Sequence, residues 1–294
     1  MNKLFKGCGT AIVTPFKDNK INLEKFKELL EFQIANNVNA VIVCGTTGEA
    51  ATLTDDEKML LVETAVTICK NKCQVIAGSG SNNTLHSVYL SKQFEKLGVD
   101  GLLVVTPYYN KCNEEGLYLH YKNIADSVSI PIILYNVPSR TSVNISPNLV
   151  KRLSEISNIC GLKEASGNIS YLTDVMSKID SNNFYIYSGN DDLTYTVLSL
   201  GGKGVISVIS NILPYEISKM CSSFLEGKKD YALSLQLKYI PLIRAIFLDV
   251  NPILIKHCMN ILNYDVGNLR LPLYKSYDIN NEILEKELIN LGLL

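Results

Sequence analysis

From Gly7 onward two textures alternate along the chain. One is a short apolar run, rich in valine and isoleucine, that ends in Gly, Thr, Ser, Pro or Asn. The other is an amphipathic stretch with apolar residues at helical spacing. The apolar runs cover residues 7–16, 40–44, 74–78, 101–105, 131–135, a sixth segment holding Ile156, Ile159, Cys160 and Leu162, then 184–187 and 204–209. Each is followed by a helical pattern. The first opens at Asn22 and carries Leu23, Phe26, Leu29, Leu30 and Ile34 on one face. The others fall near residues 59–70, 87–97, 114–128, 147–154, 171–179, 193–200 and 215–225. Two helix starts are written out in side chains: Thr54-Asp55-Asp56-Glu57 has the spacing of a capping box, and Ser146-Pro147 pairs an N-cap with proline at the first helical position.

Regular strand–helix alternation predicts a parallel sheet with right-handed crossovers. Eight units within residues 1–225 fit an α/β fold of the (β/α)8 barrel type. A doubly wound open sheet is the competing arrangement. It usually carries a glycine-rich phosphate turn after the first strand, where this chain has Thr14-Pro15-Phe16. Beyond residue 225 the texture changes. Helical patterns at 228–247, 251–262 and 281–293 have no strand runs between them, so residues 226–294 read as a small helical appendage on the barrel.

Composition narrows the function classes. Of 294 residues, 47% are hydrophobic and 19% charged, enough for a full-sized core. The formal net charge of -1 gives no electrostatic footprint for nucleic acid or an anionic membrane. No uncharged apolar run approaches the ~18 residues of a membrane span, and no signal-peptide run follows Met1-Asn2-Lys3. Eight cysteines occur without a CxxC pair, and Cys8, Cys44, Cys69 and Cys160 sit in apolar runs as small core residues. That usage suits a reducing, cytoplasmic location. His86, His120 and His257 are scattered, so no histidine-built metal site is expected.

Chemistry enters with Gly161-Leu162-Lys163-Glu164-Ala165-Ser166-Gly167. It places a lysine at the C-terminal end of a buried strand. An ammonium is costly there, and a neutral amine is a nucleophile toward carbonyls, as Schiff-base catalysis requires. Alternatively the side chain snorkels to solvent or pairs with a carboxylate such as Glu164. In a barrel, the C-terminal strand ends meet at one mouth. Those ends hold Thr46 and Thr47, Tyr108 and Tyr109, Tyr135 and Arg140, Lys163, Gly189 and Ile206. Together they offer an amine, hydroxyls and phenols to move protons, and a guanidinium to hold a carboxylate. An iminium is its own electron sink, so no metal or organic cofactor is expected.

Five stretches, in order and at these separations, resemble the dihydrodipicolinate synthase family of pyruvate-dependent class I aldolases, to which N-acetylneuraminate lyase also belongs. They are Gly45-Thr46-Thr47-Gly48-Glu49, Thr106-Pro107-Tyr108-Tyr109, Tyr135-Asn136-Val137-Pro138-Ser139-Arg140-Thr141, the Lys163 stretch and Gly204-Val205-Ile206-Ser207-Val208. The resemblance spans nearly the whole chain. It implies a lyase that condenses pyruvate with aspartate-β-semialdehyde to 4-hydroxy-tetrahydrodipicolinate, the first committed step toward diaminopimelate and lysine. It further implies that Lys163 forms the imine, that Tyr135 is the general acid/base, and that Thr46 links Tyr135 to Tyr109 in a proton relay. Thr47 would bind the pyruvate carboxylate and Arg140 that of the semialdehyde, while backbone groups at Gly189 and Ile206 would line the pocket. Tyr109 would reach into a neighbouring subunit, implying a homo-oligomer, a tetramer built as a dimer of dimers. Arg140, and Thr46-Thr47 in place of a Ser-Thr pair, favour the synthase over a lyase or keto-sugar-acid aldolase. A catalytically silent binding homologue would be expected to lose Lys163 or Tyr135. Positions matching a lysine effector site are Ala50, Ala51, Asp55, Lys58, Asn82, His86 and Tyr108. The cation of Lys58, and His86 where sensitive members carry a glutamate, imply weak or absent inhibition by lysine.

Overall fold

The computed structural model describes residues 4–294; Met1-Asn2-Lys3, where the leader would begin, lie outside the described residues. Eight parallel strands close into a barrel in sequence order: β1 (Gly7–Ala11), β2 (Ala40–Val43), β3 (Gln74–Gly78), β4 (Gly101–Val105), β5 (Ile132–Asn136), β6 (Ile159–Glu164), β7 (Tyr185–Ser188) and β8 (Gly204–Ser207). β8 pairs back onto β1, with Gly7 opposite Gly204 and Cys8 opposite Val205. The glycine at 204 is obligatory, because a Cβ there would lie 1.9 Å from the Gly7 carbonyl oxygen.

The strands are buried on both faces, which is why they read as continuous apolar runs. Outward residues such as Val41, Val75, Leu102 and Leu134 pack beneath the surrounding helices. Those helices are α1 (Leu23–Ala35), α2 (Asp55–Cys69), α3 (Thr84–Leu97), α4 (Glu114–Asp126), α5 (Pro147–Leu153), α6 (Ile169–Lys178), α7 (Thr194–Ser199) and α8 (Pro214–Leu225). On α1, Phe26 and Leu30 are fully buried, worth about 1.5–3 kcal/mol each. The Thr54–Glu57 capping box forms in both directions, and Ser146 Oγ accepts from the Leu149 N–H. Inward residues fill the barrel: Ile42, Ile76, Leu103, Ile133, Tyr185, Tyr187 and Ile206 belong to one interior cluster. Its N-terminal end is plugged. Phe5 stacks on Tyr187 at 4.5 Å, and the Tyr187 hydroxyl donates to the Phe5 carbonyl at 2.6 Å.

Two details depart from the sequence reading. The first apolar run is not one strand: after β1 the chain forms a small hairpin, Phe16–Lys17 against Lys20–Ile21, turning through Asp18 and Asn19, both at positive φ. Cys8, Cys44 and Cys69 are buried as expected, but Cys160 is only partly so.

Three further helices follow the barrel: α9 (Lys229–Ile246), α10 (Ile253–Ile261) and α11 (Asp278–Asn290). α9 packs on α8 and α11. α10 is pinned by Lys256, only 1% exposed, whose ammonium donates to the Thr14 carbonyl at 3.1 Å, the Asn268 carbonyl at 2.8 Å and Glu49 Oε1 at 2.9 Å. All three of its protons have acceptors. Glu49 Oε2 accepts from the Arg270 N–H at 2.9 Å, and the Arg270 guanidinium grips both Glu57 oxygens. This buried polar knot fixes the C-terminal helices over the loop that follows β2.

Candidate active site

The loop after β2 is held by its backbone. The Thr14 hydroxyl donates to the Gly48 carbonyl at 2.7 Å, and the Glu49 N–H donates to the Thr46 carbonyl at 3.1 Å. Cys44 and Glu49 both sit in the left-handed region, bending the chain sharply on either side of Thr46-Thr47. After β5, one helical turn, Pro138–Thr141, carries Arg140. After β6, Gly189 of the next strand end approaches closely: its N–H donates to the Glu164 carbonyl at 2.7 Å, and a Cβ there would lie 2.6 Å from Ala165 Cβ. The backbone at Gly189 can therefore border the pocket where a side chain would block it.

These elements surround a cavity of about 410 Å3 at the C-terminal mouth. Thr46, Thr47, Tyr135, Arg140, Lys163 and Gly189 all line it. Lys163 is 5% exposed, and its ammonium lies 4.4 Å from the centroid of the Tyr135 ring. Among the described residues no carboxylate lies within salt-bridge distance of it. Glu164 is not its partner. Successive strand residues face opposite sides. Glu164 accepts instead from the Ser166 N–H at 2.6 Å and from Asn136 Nδ2 at 2.8 Å. Burial pushes the Glu164 carboxyl up, against the pull of those donors. Burial likewise raises Asp191, opposed by the Ser207 hydroxyl, the N–H groups of Val208 and Ile209, and the positive charge of Lys163.

One residue expected to line the pocket lies elsewhere. Ile206 is buried in the barrel interior, in the same cluster as Tyr135, and Val208 takes the lining position on that strand end. Tyr109 is 93% exposed at φ 70° and does not border the cavity of its own chain, so the Thr46–Tyr135–Tyr109 relay is not assembled within one chain.

Sequence reasoning assigned the C-terminal helices no role. They supply Ile243, Arg244, Phe247 and Asn251 to the cavity wall. Asn251 Nδ2 donates to Thr47 Oγ1 at 3.0 Å, and the Asn251 carbonyl accepts from Arg140 Nη2 at 2.9 Å. A helical period shows which face is apolar; it does not show that the loop after the helix turns into the barrel mouth.

A second cavity of about 610 Å3 shares Thr46, Tyr135, Arg140 and Asn251 with the first. Ala50, Ala51, Asp55, Lys58, His86 and Tyr108 line it; Asn82 lies behind, donating from Nδ2 to the Tyr108 carbonyl at 3.2 Å. Asp55 holds His86 Nε2 at 3.0 Å and Lys58 Nζ at 3.4 Å. Against the effect of burial, those two neighbours hold the Asp55 carboxyl below its usual range. Among the described residues there is no group of three or more His, Cys, Asp or Glu side chains placed to hold a metal ion, and no helix long and apolar enough to cross a membrane.

A buried, unpaired lysine on the sixth strand of a barrel, stacked on a tyrosine of the fifth, is the geometry of a Schiff-base aldolase. The model of the dihydrodipicolinate synthetase family matches residues 4–289. The chain belongs to that family. A 4-hydroxy-tetrahydrodipicolinate synthase of Caldicellulosiruptor saccharolyticus is 49% identical over 99% of this chain and 98% of its own. One from Clostridium tetani is 47% identical over 99% of both chains. The crystal structure of the dihydrodipicolinate synthase of Thermotoga maritima superposes with a TM-score of 0.97 at 42% identity, covering 99% of this chain and 100% of that one.

Proposed function

We propose that the chain condenses pyruvate with aspartate-β-semialdehyde to 4-hydroxy-tetrahydrodipicolinate. The observation that carries this reading is the buried Lys163 amine, free of any carboxylate, in a cavity that also holds Arg140. The Lys163 amine adds to the pyruvate ketone and water leaves, giving an imine. Loss of a methyl proton gives the enamine, whose carbon attacks the aldehyde. The amine of the second substrate then closes onto the imine carbon and expels Lys163, so one water is released per product.

Tyr135, whose ring lies against the amine, serves as the general acid/base for the proton transfers of imine formation. Thr47 binds the pyruvate carboxylate by its hydroxyl, and the Gly189 backbone borders the same pocket. Arg140 takes the carboxylate of the semialdehyde, a clamp less apt for the polyol aldehydes of sialic-acid and keto-sugar lyases. Thr46 completes a proton relay when Tyr109 arrives from another subunit. An almost fully exposed tyrosine in a strained backbone conformation suits that task. The working form is therefore a homo-oligomer, read as a tetramer. No cofactor is called for, because the imine on Lys163 stores the electron pair. We place the enzyme in the cytoplasm, with residues 226–294 as a helical unit that closes the mouth.

Turnover of pyruvate plus aspartate-β-semialdehyde, coupled to NADPH consumption by a reductase acting on the product, tests the reading. Turnover with this pair supports it. A folded sample inactive with this pair, yet active with a sugar acid, overturns it.

A further inference from the structure

We infer that Asn251 is a positioning residue that sets the direction of the Thr47 hydroxyl. The inference rests on the reading of the cavity as the pyruvate pocket. Asn251 is 8% exposed and lies beyond the barrel, between α9 and α10. Its side-chain nitrogen donates to Thr47 Oγ1 at 3.0 Å. A threonine hydroxyl has one proton and two lone pairs. With one lone pair filled by the amide N–H, the Thr47 proton must point away from Asn251. Thr47 donates to no other group among the described residues, so that proton is kept for an acceptor in the cavity. A carboxylate there receives a hydrogen bond that is already aimed.

The amide orientation decides the outcome. With the amide reversed, its oxygen would take the Thr47 proton and leave only lone pairs facing the substrate. In this arrangement Asn251 Oδ1 is buried without a partner. The main chain of the same residue has a separate task, since its carbonyl accepts from Arg140 Nη2 at 2.9 Å. One residue thus holds the groups assigned to both carboxylates, one through its side chain and one through its backbone. Changing the side chain separates the two.

The test is trapping of the pyruvate imine with cyanoborohydride across pyruvate concentrations, from pH 8 to pH 5, in wild type, Asn251→Asp and Asn251→Ala. The aspartate variant is close to isosteric. Its carboxylate offers no proton to Thr47 and accepts the hydroxyl proton instead. Half-saturation for pyruvate should rise about 10- to 100-fold at pH 8, the loss expected for a hydrogen bond to a charged group. Relative to wild type it should recover as the pH falls and the new carboxyl becomes a donor again. Asn251→Ala should raise half-saturation less, with no such recovery. In turnover assays it should leave the KM for the semialdehyde within about twofold, because its carbonyl still holds Arg140. In a Thr47→Val background, Asn251→Ala should add little.

A half-saturation unchanged in Asn251→Asp overturns the inference, since a reversed amide would be mimicked by the carboxylate. A rise independent of pH, or equal rises for both substrates in Asn251→Ala, marks a merely structural residue and also overturns it. Failure of the wild type to trap pyruvate overturns the functional reading instead, and this inference with it.

Discussion

Tyr135 and Lys163 are register partners on neighbouring strands β5 and β6, and the Lys163 ammonium sits 4.4 Å from the centre of the Tyr135 ring. The ring face lends the buried ammonium weak electrostatic support, beside the field of buried Asp191, with no carboxylate within salt-bridge distance among the described residues. Lys256 shows the contrast. It is buried as deeply, but three oxygens take its three protons, and Glu49 supplies the opposing charge. Burial lowers its affinity for the proton, and Glu49 opposes that shift without cancelling it. One lysine is consumed by the structure; the other is the nucleophile of the proposed reaction.

Arg140 lines the cavity and is held at the mouth by the Asn251 carbonyl. Replacing it with alanine should raise the KM for the semialdehyde about 10- to 100-fold, the range for a lost hydrogen bond to a charged group. Pyruvate trapping on Lys163 should persist. Steady-state kinetics with each substrate varied in turn checks this; an equal rise for pyruvate would place Arg140 at the wrong carboxylate.

The second cavity already contains a lysine. Lys58 and His86 both lean on Asp55, which leaves little unopposed negative charge for a cationic ligand. Free lysine should inhibit weakly or not at all. An inhibition titration that returned a submillimolar constant would contradict this.

His120 couples stability to pH. Its Nδ1 lies 2.9 Å from the Thr84 hydroxyl, Nε2 is buried without a partner, and burial lowers its pKa from 6.5 to about 4. Above pH 6.5 the ring is neutral in both folded and unfolded chains. Between pH 6.5 and 4 the unfolded chain takes up the proton and the folded chain does not, so stability falls as the pH falls. The loss is on the order of 3 kcal/mol by pH 4. His120→Gln should flatten that part of the acid limb in denaturant unfolding at pH 7.5 and pH 4.5. An unchanged slope would show that His120 does not drive it.

Much of the architecture is legible in the amino-acid sequence. The eight strands are visible because a parallel barrel strand is buried on both faces and so cannot hide its apolar run. The strand-end residues follow once the barrel is assumed, since its topology gathers them at one mouth. What stays hidden depends on side-chain direction and on distant contacts. Ile206 lies within the last strand and Val208 just past its end, where the backbone leaves the extended conformation, and only the structure shows that Val208 lines the cavity. Asp191 and Glu164 read as ordinary loop and strand-end acids until burial is known. Asn251 meets Thr47 from 204 positions away, and no local pattern announces such a contact.

The proposed chemistry depends on Lys163 as the nucleophile. The most direct test is reduction with borohydride in the presence of pyruvate, followed by digestion and mass spectrometry of the lysine-containing peptides. A carboxyethyl group on Lys163 alone, with Lys256 unmodified and no adduct in Lys163→Ala, is the predicted result. An adduct that persists in Lys163→Ala, or none in the folded wild-type chain, would contradict it.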